Sequence, residues 1–238
     1  MAYHLALPPP RHERLADFRV LIVEDHPLIP TGSAVRAAVN RVADALLDGG
    51  TRVERHSPLL PDLTEAATLY LLLMLSNAAA GLPTDVYDQL RTHAAALGAD
   101  DRGLAAARSR GMVLSHRDWV EANTRRELHR HDWRRLFGEF DAVVCPITPT
   151  PAFPHDHSGD LETRRVDIDG VEHPYFDQLV WAGVAGLPGL PATAVPAGRS
   201  PGGLPVGVQL LGPMFEDRTP LRLAELLERK LGGFLPPR

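Results

Sequence analysis

The sequence predicts an α/β fold, a mixed sheet flanked by helices. Three observations carry this expectation. A βαβ-like pattern opens the chain over residues 18–56, an all-helical stretch follows over 62–140, and strands, a hairpin and a closing helix fill 141–238. Strands joined through a helix favour parallel pairing, while a hairpin adds antiparallel pairing. No internal repeat and no dividing linker is visible, so 1–238 reads as a single α/β unit.

Residues 18–23 (FRVLIV) form a short β-branched and aromatic run, the pattern of a buried strand. Thr31, Gly32 and Ser33 follow and supply helix-capping hydroxyls. Val35, Val39, Val42 and Leu46 then recur on one helical face. Gly49 and Gly50 end that helix, and 51–55 reads as a second strand.

Residues 62–80 predict a buried helix ending near Gly81 and Pro83. Weaker helical patterns cover 84–97 and 102–113. Ser115 and Asp118 resemble a capping box that opens a long helix. That helix carries Trp119 early and Trp133, Leu136, Phe137 and Phe140 late, at core spacing. Its other face holds Arg117, Arg125, Arg126, Arg130, Arg134 and Arg135, interleaved with Asp118, Glu121, Glu127 and Asp132. Interleaved signs suit a solvated face with i, i+4 ion pairs better than a nucleic-acid contact.

In the last third, 141–145 (DAVVC) is a strand and 146–154 a proline-studded loop. Residues 165–168 and 171–173 flank Asp169-Gly170, a strong hairpin signal. Residues 175–185 are helical, and 192–196 and 206–211 are apolar strands separated by a Gly/Pro turn. Thr219 and Pro220 start the final helix as cap and first position, with Leu221, Ala224, Leu227 and Leu231 facing the core.

Composition narrows the function. The net charge of −5 argues against a general nucleic-acid binder. A single cysteine, Cys145, rules out an internal disulfide framework and suits a reducing, cytoplasmic home. Residues 1–17 have no apolar core of signal-peptide length, and Pro8, Pro9 and Pro10 interrupt them. The long uncharged run 66–84 is broken by Ser76, Asn77, Gly81 and Pro83, which favours a buried helix over a membrane span. Lys230 is the sole lysine, so lysine chemistry upstream of the last helix is excluded.

Several constellations invite chemistry. RVLIVEDHPLI (19–29) looks like the first strand of a response-regulator receiver, with Glu24 and Asp25 as its metal-binding acids. That reading also demands a phosphoacceptor aspartate and a lysine after later strands; the third-strand region offers only 71–75, and Lys230 sits in the last helix. His129 and His131 lie two apart on a helix and diverge by roughly 200°, so they cannot share a metal. His155, Asp156 and His157, with His173 nearby, form a polar loop that loop-ligand metal binding would use. Cys145 closes an apolar strand before a proline, the setting of a buried thiol more than of a nucleophile. No G-x-S-x-G elbow and no adjacent serine pair occurs.

The segments FDAVVCPITPTPAFP (140–154), AGLPGLPATAVPAG (185–198) and GLPVGVQLLGPMFEDRTPLRLAELLE (203–228) occur in order. Together they resemble the C-terminal part of an amidase of the amidase-signature family. The stretch from Leu5 resembles the βα unit that follows the catalytic core in such amidases, so the likeness extends over nearly the whole chain. The family attacks an amide carbonyl with a serine activated by a cis-serine and a lysine, in a glycine- and serine-rich core. None of that triad is in this sequence. The resemblance therefore implies the second half of an amidase acting on a non-peptide C–N bond. It implies a small-molecule amide substrate, no cofactor and no metal, and no catalytic residue of this chain's own. Thr148, Pro149, Phe153 and Trp181 are the candidates for one wall of the substrate pocket. The family often carries an asparagine before the second G-L-P, where this chain reads Trp181-Ala182-Gly183-Val184. Gln209, on an apolar strand, needs hydrogen-bond partners and is expected to tie neighbouring loops.

Two other readings stay open: a non-catalytic α/β interaction module, and part of an amidotransferase A-type subunit. Strands 192–196 and 206–211 look apolar on both faces, as covered strands do. A missing half would leave such surface open, which predicts a homo-oligomer.

Overall fold

In the computed structural model, which describes residues 5–159 and 161–233, the βαβ start is a true parallel unit. The first four residues of the 1–17 stretch and the last five of 141–238 lie outside the described residues. Strand β1 (Arg19–Ile22) leads through helix α1 (Ser33–Asp48) to β2 (Arg52–Glu54), which pairs parallel with β1. Strand β3 (Ala142–Pro146) pairs parallel on the other side of β1. Strands β6 (Ala192–Arg199) and β7 (Pro205–Leu211) return antiparallel, giving a five-stranded mixed sheet of order β2-β1-β3-β7-β6.

Alternate residues of a strand point to opposite faces, and here each face has its own core. Val20, Ile22, Ala142, Val144, Val208 and Leu210 meet Val35, Val39, Val42 and Leu46 of α1 and Leu223 and Leu227 of α7 (Arg218–Leu231). Leu21, Val143, Cys145 and Leu211 meet the opposite layer. That layer is built from α2 (Leu63–Ala78), the end of α5 (His116–Leu136) and α6 (Leu179–Gly186). Helices α3 (Thr84–Ala96) and α4 (Leu104–Met112) extend the helical stretch, α4 packing on α2. Strands β4 (Arg165–Ile168) and β5 (Val171–Pro174) form a separate hairpin whose turn residues Asp169 and Gly170 both have positive φ, 52° and 85°.

The capping box at α5 forms as expected: the Asp118 N–H donates to Ser115 Oγ, and Ser115 Oγ donates back to Asp118. Asp62 caps α2 through the N–H groups of Thr64 and Glu65. Helix α2 is only half enclosed: Leu63, Ala66, Ala67, Leu69 and Leu71 are buried, and its second half is partly open. The segment Leu63–Gly81 is long and apolar enough to cross a membrane by length and composition, and it packs here against α4, α5 and α6. The arginine face of α5 is laced with carboxylates, Arg125 with Glu65, Arg130 and Arg126 with Glu127, and Arg135 with Asp132.

Five expectations need correction. The residues Thr31 and Ser33 do not cap α1 with their hydroxyls; its N-cap is Gly32, which has no side chain to offer. A β-carbon at Gly32 would fall 2.9 Å from the Pro149 carbonyl, so only glycine lets loop and helix approach this closely. Helix α7 starts at Arg218, and Thr219 is no cap: it is fully buried and its Oγ1 accepts the Arg11 N–H. Leu221 is 54 % exposed, and Leu223 takes the core position. Gly212 makes room for this arrangement: a β-carbon there would lie 2.5 Å from the Pro220 ring, so the missing side chain lets Pro220 pack close against the end of β7. Trp119 is exposed instead of joining the late aromatics of α5 in the core. Strand β7 is enclosed between β3 and β6, so of the two apolar strands only β6 presents an open edge, with Ala192, Ala194 and Pro196 exposed on one face.

Candidate functional site

The carboxyl ends of β1 and β3 lie side by side, the end of an open α/β sheet where ligands bind. Three segments gather there. After β1 come Glu24, Asp25 and His26; after β3 comes the loop 147–154; across them lie α6 and the β4–β5 turn.

Backbone and buried side chains fix this end. The Gly32 N–H donates to the Pro149 carbonyl at 2.8 Å, and Thr31 Oγ1 donates to the Glu24 carbonyl at 2.7 Å. Gln209 sits opposite Cys145 in the β3–β7 pair. Its Nε2 donates to the carbonyls of Pro146 at 2.7 Å and Trp181 at 3.3 Å. The expectation that Gln209 ties neighbouring segments thus holds: one buried amide joins the root of the 147–154 loop to α6.

The candidate wall residues occupy different depths. Thr148 is exposed and its hydroxyl donates to the Thr150 carbonyl at 2.8 Å. Pro149 is buried, and Phe153 is exposed with its ring edge-on to Tyr175 at 6.0 Å. Trp181 is fully enclosed, edge-on to His26 at a 5.4 Å centroid distance.

His26 escaped the sequence reading, which stopped at the acids beside it. It is 6 % exposed, and its Nδ1 accepts the Leu28 N–H at 3.2 Å, so the neutral ring carries its proton on Nε2. Burial pushes its pKa down to about 4. The signal available was a histidine in a tight turn directly after an apolar strand.

Other candidates are committed elsewhere. Asp25 makes a two-pronged ion pair with Arg36, and Glu24 pairs with Arg55, as solvated strand-end acids would. The Cys145 thiol is buried in the sheet, and desolvation pushes its pKa well up, away from nucleophile chemistry. His129 is buried and accepts the Trp133 indole N–H at 3.2 Å, while His131 faces solvent. The rings of His155 and His157 lie 5.9 Å apart, and among the described residues no three His, Cys, Asp or Glu side chains gather as a metal site. Arg108 is buried against Phe176 and pairs with Glu162 and Asp177, anchoring the segment after β5 to α4.

This sheet, its two helical layers and the loop-lined end define a mixed α/β fold. A solved amidase overlays with a TM-score of 0.64 at 25 % identity, over 96 % of this chain and 48 % of its own. A bacterial aryl acylamidase of the amidase-signature family overlays with a TM-score of 0.65 at 16 % identity, over 91 % of this chain and 44 % of its own. The family model described as Amidase matches residues 3–221. The chain belongs to the amidase-signature family. Among curated relatives, the A-type subunit of glutamyl-tRNA(Gln) amidotransferase from Exiguobacterium sp. is 29 % identical over 219 residues, covering 85 % of this chain and 43 % of the relative. Its counterpart from Roseiflexus sp. is 32 % identical over 213 residues, covering 83 % and 40 %. The chain thus spans less than half the length of the curated relatives it matches.

Proposed function

We propose that this chain is the C-terminal part of an amidase that hydrolyses a non-peptide C–N amide bond through a serine acyl-enzyme, and that it is inactive alone. One observation carries the reading: the family match runs over nearly the whole chain, yet the sequence holds no serine pair and no lysine before Lys230. In the complete enzyme the triad serine attacks the amide carbonyl. The tetrahedral oxyanion is held by hydrogen-bond donors, the amine leaves, and water releases the acid. The present chain completes the sheet. Thr148, Pro149, Phe153 and Trp181, set by Gln209 and by the Gly32–Pro149 contact, shape one wall of the substrate pocket. The mechanism needs no cofactor, and the proposed setting is cytoplasmic.

A second reading, part of an amidotransferase A-type subunit, is favoured by the names of the curated relatives. Co-expression with the segment encoded immediately upstream tests the main reading. Amide hydrolysis that needs both pieces supports it. Hydrolysis that appears only when further subunits are added favours the second reading, and co-expression that yields no activity in either setting contradicts both.

A further inference from the structure

A second pocket lies at the opposite end of the sheet from the candidate site. Leu211 of β7 pairs with Val143 near the start of β3, so the turn after β7 sits beside the segment that enters β3. Between that turn and the last two turns of α5 is a cavity of about 360 Å³, within the size range of small-molecule sites. Trp133, Phe137 and Met214 give it apolar walls, and Arg134 stands at its rim.

Two features of the lining bear on what the pocket can hold. Phe215 has φ 66°, a left-handed conformation uncommon for a residue with a bulky side chain, and the residue is 73 % exposed. The turn 213–216, closed by the Glu216 N–H donating to the Pro213 carbonyl at 3.0 Å, takes this positive φ at its third position and so carries the exposed aromatic side chain at the edge of the pocket. The second feature is charge. Glu216 and Arg11 neutralise each other through a two-pronged pair at 2.6 and 2.9 Å, and Arg130 is held by Glu127 and the Pro188 carbonyl. Arg134 makes only a 3.4 Å contact with the His131 ring and, among the described residues, pairs with no carboxylate. The pocket therefore offers one uncommitted guanidinium beside an apolar, aromatic cleft.

We infer that this pocket binds a small aromatic carboxylate, the carboxylate taken by Arg134 and the ring enclosed between Phe215 and the Trp133–Phe137–Met214 wall. Guanidinium pairs with carboxylate in a planar, two-pronged fashion, and aromatic rings stack edge-on or offset against their neighbours. The inference is independent of the amidase reading, since no residue of the pocket belongs to the candidate site.

Calorimetric titration of the full chain with phenylacetate tests it, with acetate and benzyl alcohol as probes of charge alone and ring alone. Phenylacetate should bind, and both partial probes should bind at least about tenfold more weakly. Arg134→Ala and Phe215→Gly should each abolish measurable binding. Phe215→Gly should keep or raise the melting temperature, because glycine adopts this backbone conformation without strain. The inference is overturned if phenylacetate does not bind, if either variant binds as the parent does, or if acetate alone matches phenylacetate. It is also overturned if light scattering shows that Phe215→Gly dissociates a dimer, since the ring would then serve a second copy of the chain.

Discussion

The carboxylate of Asp169 caps helix α1 from the far side of the sequence, accepting the Ser33 N–H at 2.7 Å and the Ser33 hydroxyl at 2.9 Å. The helix start reads as self-capping, yet the cap comes from the hairpin turn. The contact fastens the β4–β5 hairpin over the end of the sheet where the candidate site lies, beside the Gly32–Pro149 bond. Asp169 itself takes the left-handed conformation that the two-residue turn requires.

Asp169→Ala should therefore cost about 1–2 kcal/mol, the worth of a helix N-cap plus a turn residue at positive φ. Asp169→Asn should retain most of the stability, since its amide oxygen accepts the Ser33 N–H, the Ser33 hydroxyl can turn to accept from the amide NH2, and asparagine tolerates the same φ. Urea denaturation followed by circular dichroism checks both; an unchanged midpoint for the alanine variant would mean that the cap contributes nothing.

Gln209→Leu should cost about 1–3 kcal/mol, because the carbonyls of Pro146 and Trp181 would each lose a buried side-chain donor. The same variant should change the tryptophan fluorescence, as α6 loses its tie to β3. A variant as stable as the parent would mean that these carbonyls find other donors.

His26 predicts a pH dependence. Its folded pKa, about 4, lies below the ordinary 6.5. Between these values the unfolded chain binds a proton that the folded chain refuses, so stability rises with pH through this window and levels off above 6.5. At about 1.4 kcal/mol per pKa unit, the loss approaches roughly 3 kcal/mol at the acid end. His26→Phe keeps a ring against Trp181 and removes the titration. Its stability relative to the parent should improve steadily as pH falls from neutral toward 4; parallel curves for the two proteins would contradict the assignment.

Strand β6 is an open edge of the sheet, and Ala192, Ala194 and Pro196 on it are exposed; under the proposed function this is a face for the rest of the enzyme. We expect the isolated chain to self-associate through it or to bind a hydrophobic dye. Light scattering that finds a monodisperse monomer at high concentration, with no dye bound, would mean the face is self-sufficient.

Much of the fold was legible because it rests on local periodicity. The face Val35, Val39, Val42, Leu46 and the Asp169-Gly170 turn are short-range patterns, and both form as read. Misreadings arose where a distant contact overrode a local preference. Thr219-Pro220 has the composition of a helix start, but Gly212 leaves room for Pro220 against the end of β7, both residues are buried, and Leu221 is exposed. Ser33 has a capping side chain, but Asp169 reaches its N–H across 136 residues of sequence. The site was legible only in part for the same reason. Gln209 announced its need for partners by lying on an apolar strand, whereas nothing local links His26 to Trp181, since the sheet end alone brings them together.

The central claim, that this chain carries the family's fold without its serine chemistry, is met most directly by labelling the pure protein with a fluorophosphonate probe and weighing the intact product. The expected result is an unchanged mass. A stoichiometric adduct mapped to any of the serines, Ser33 or Ser115 for example, would show an activated hydroxyl within the chain and contradict the claim.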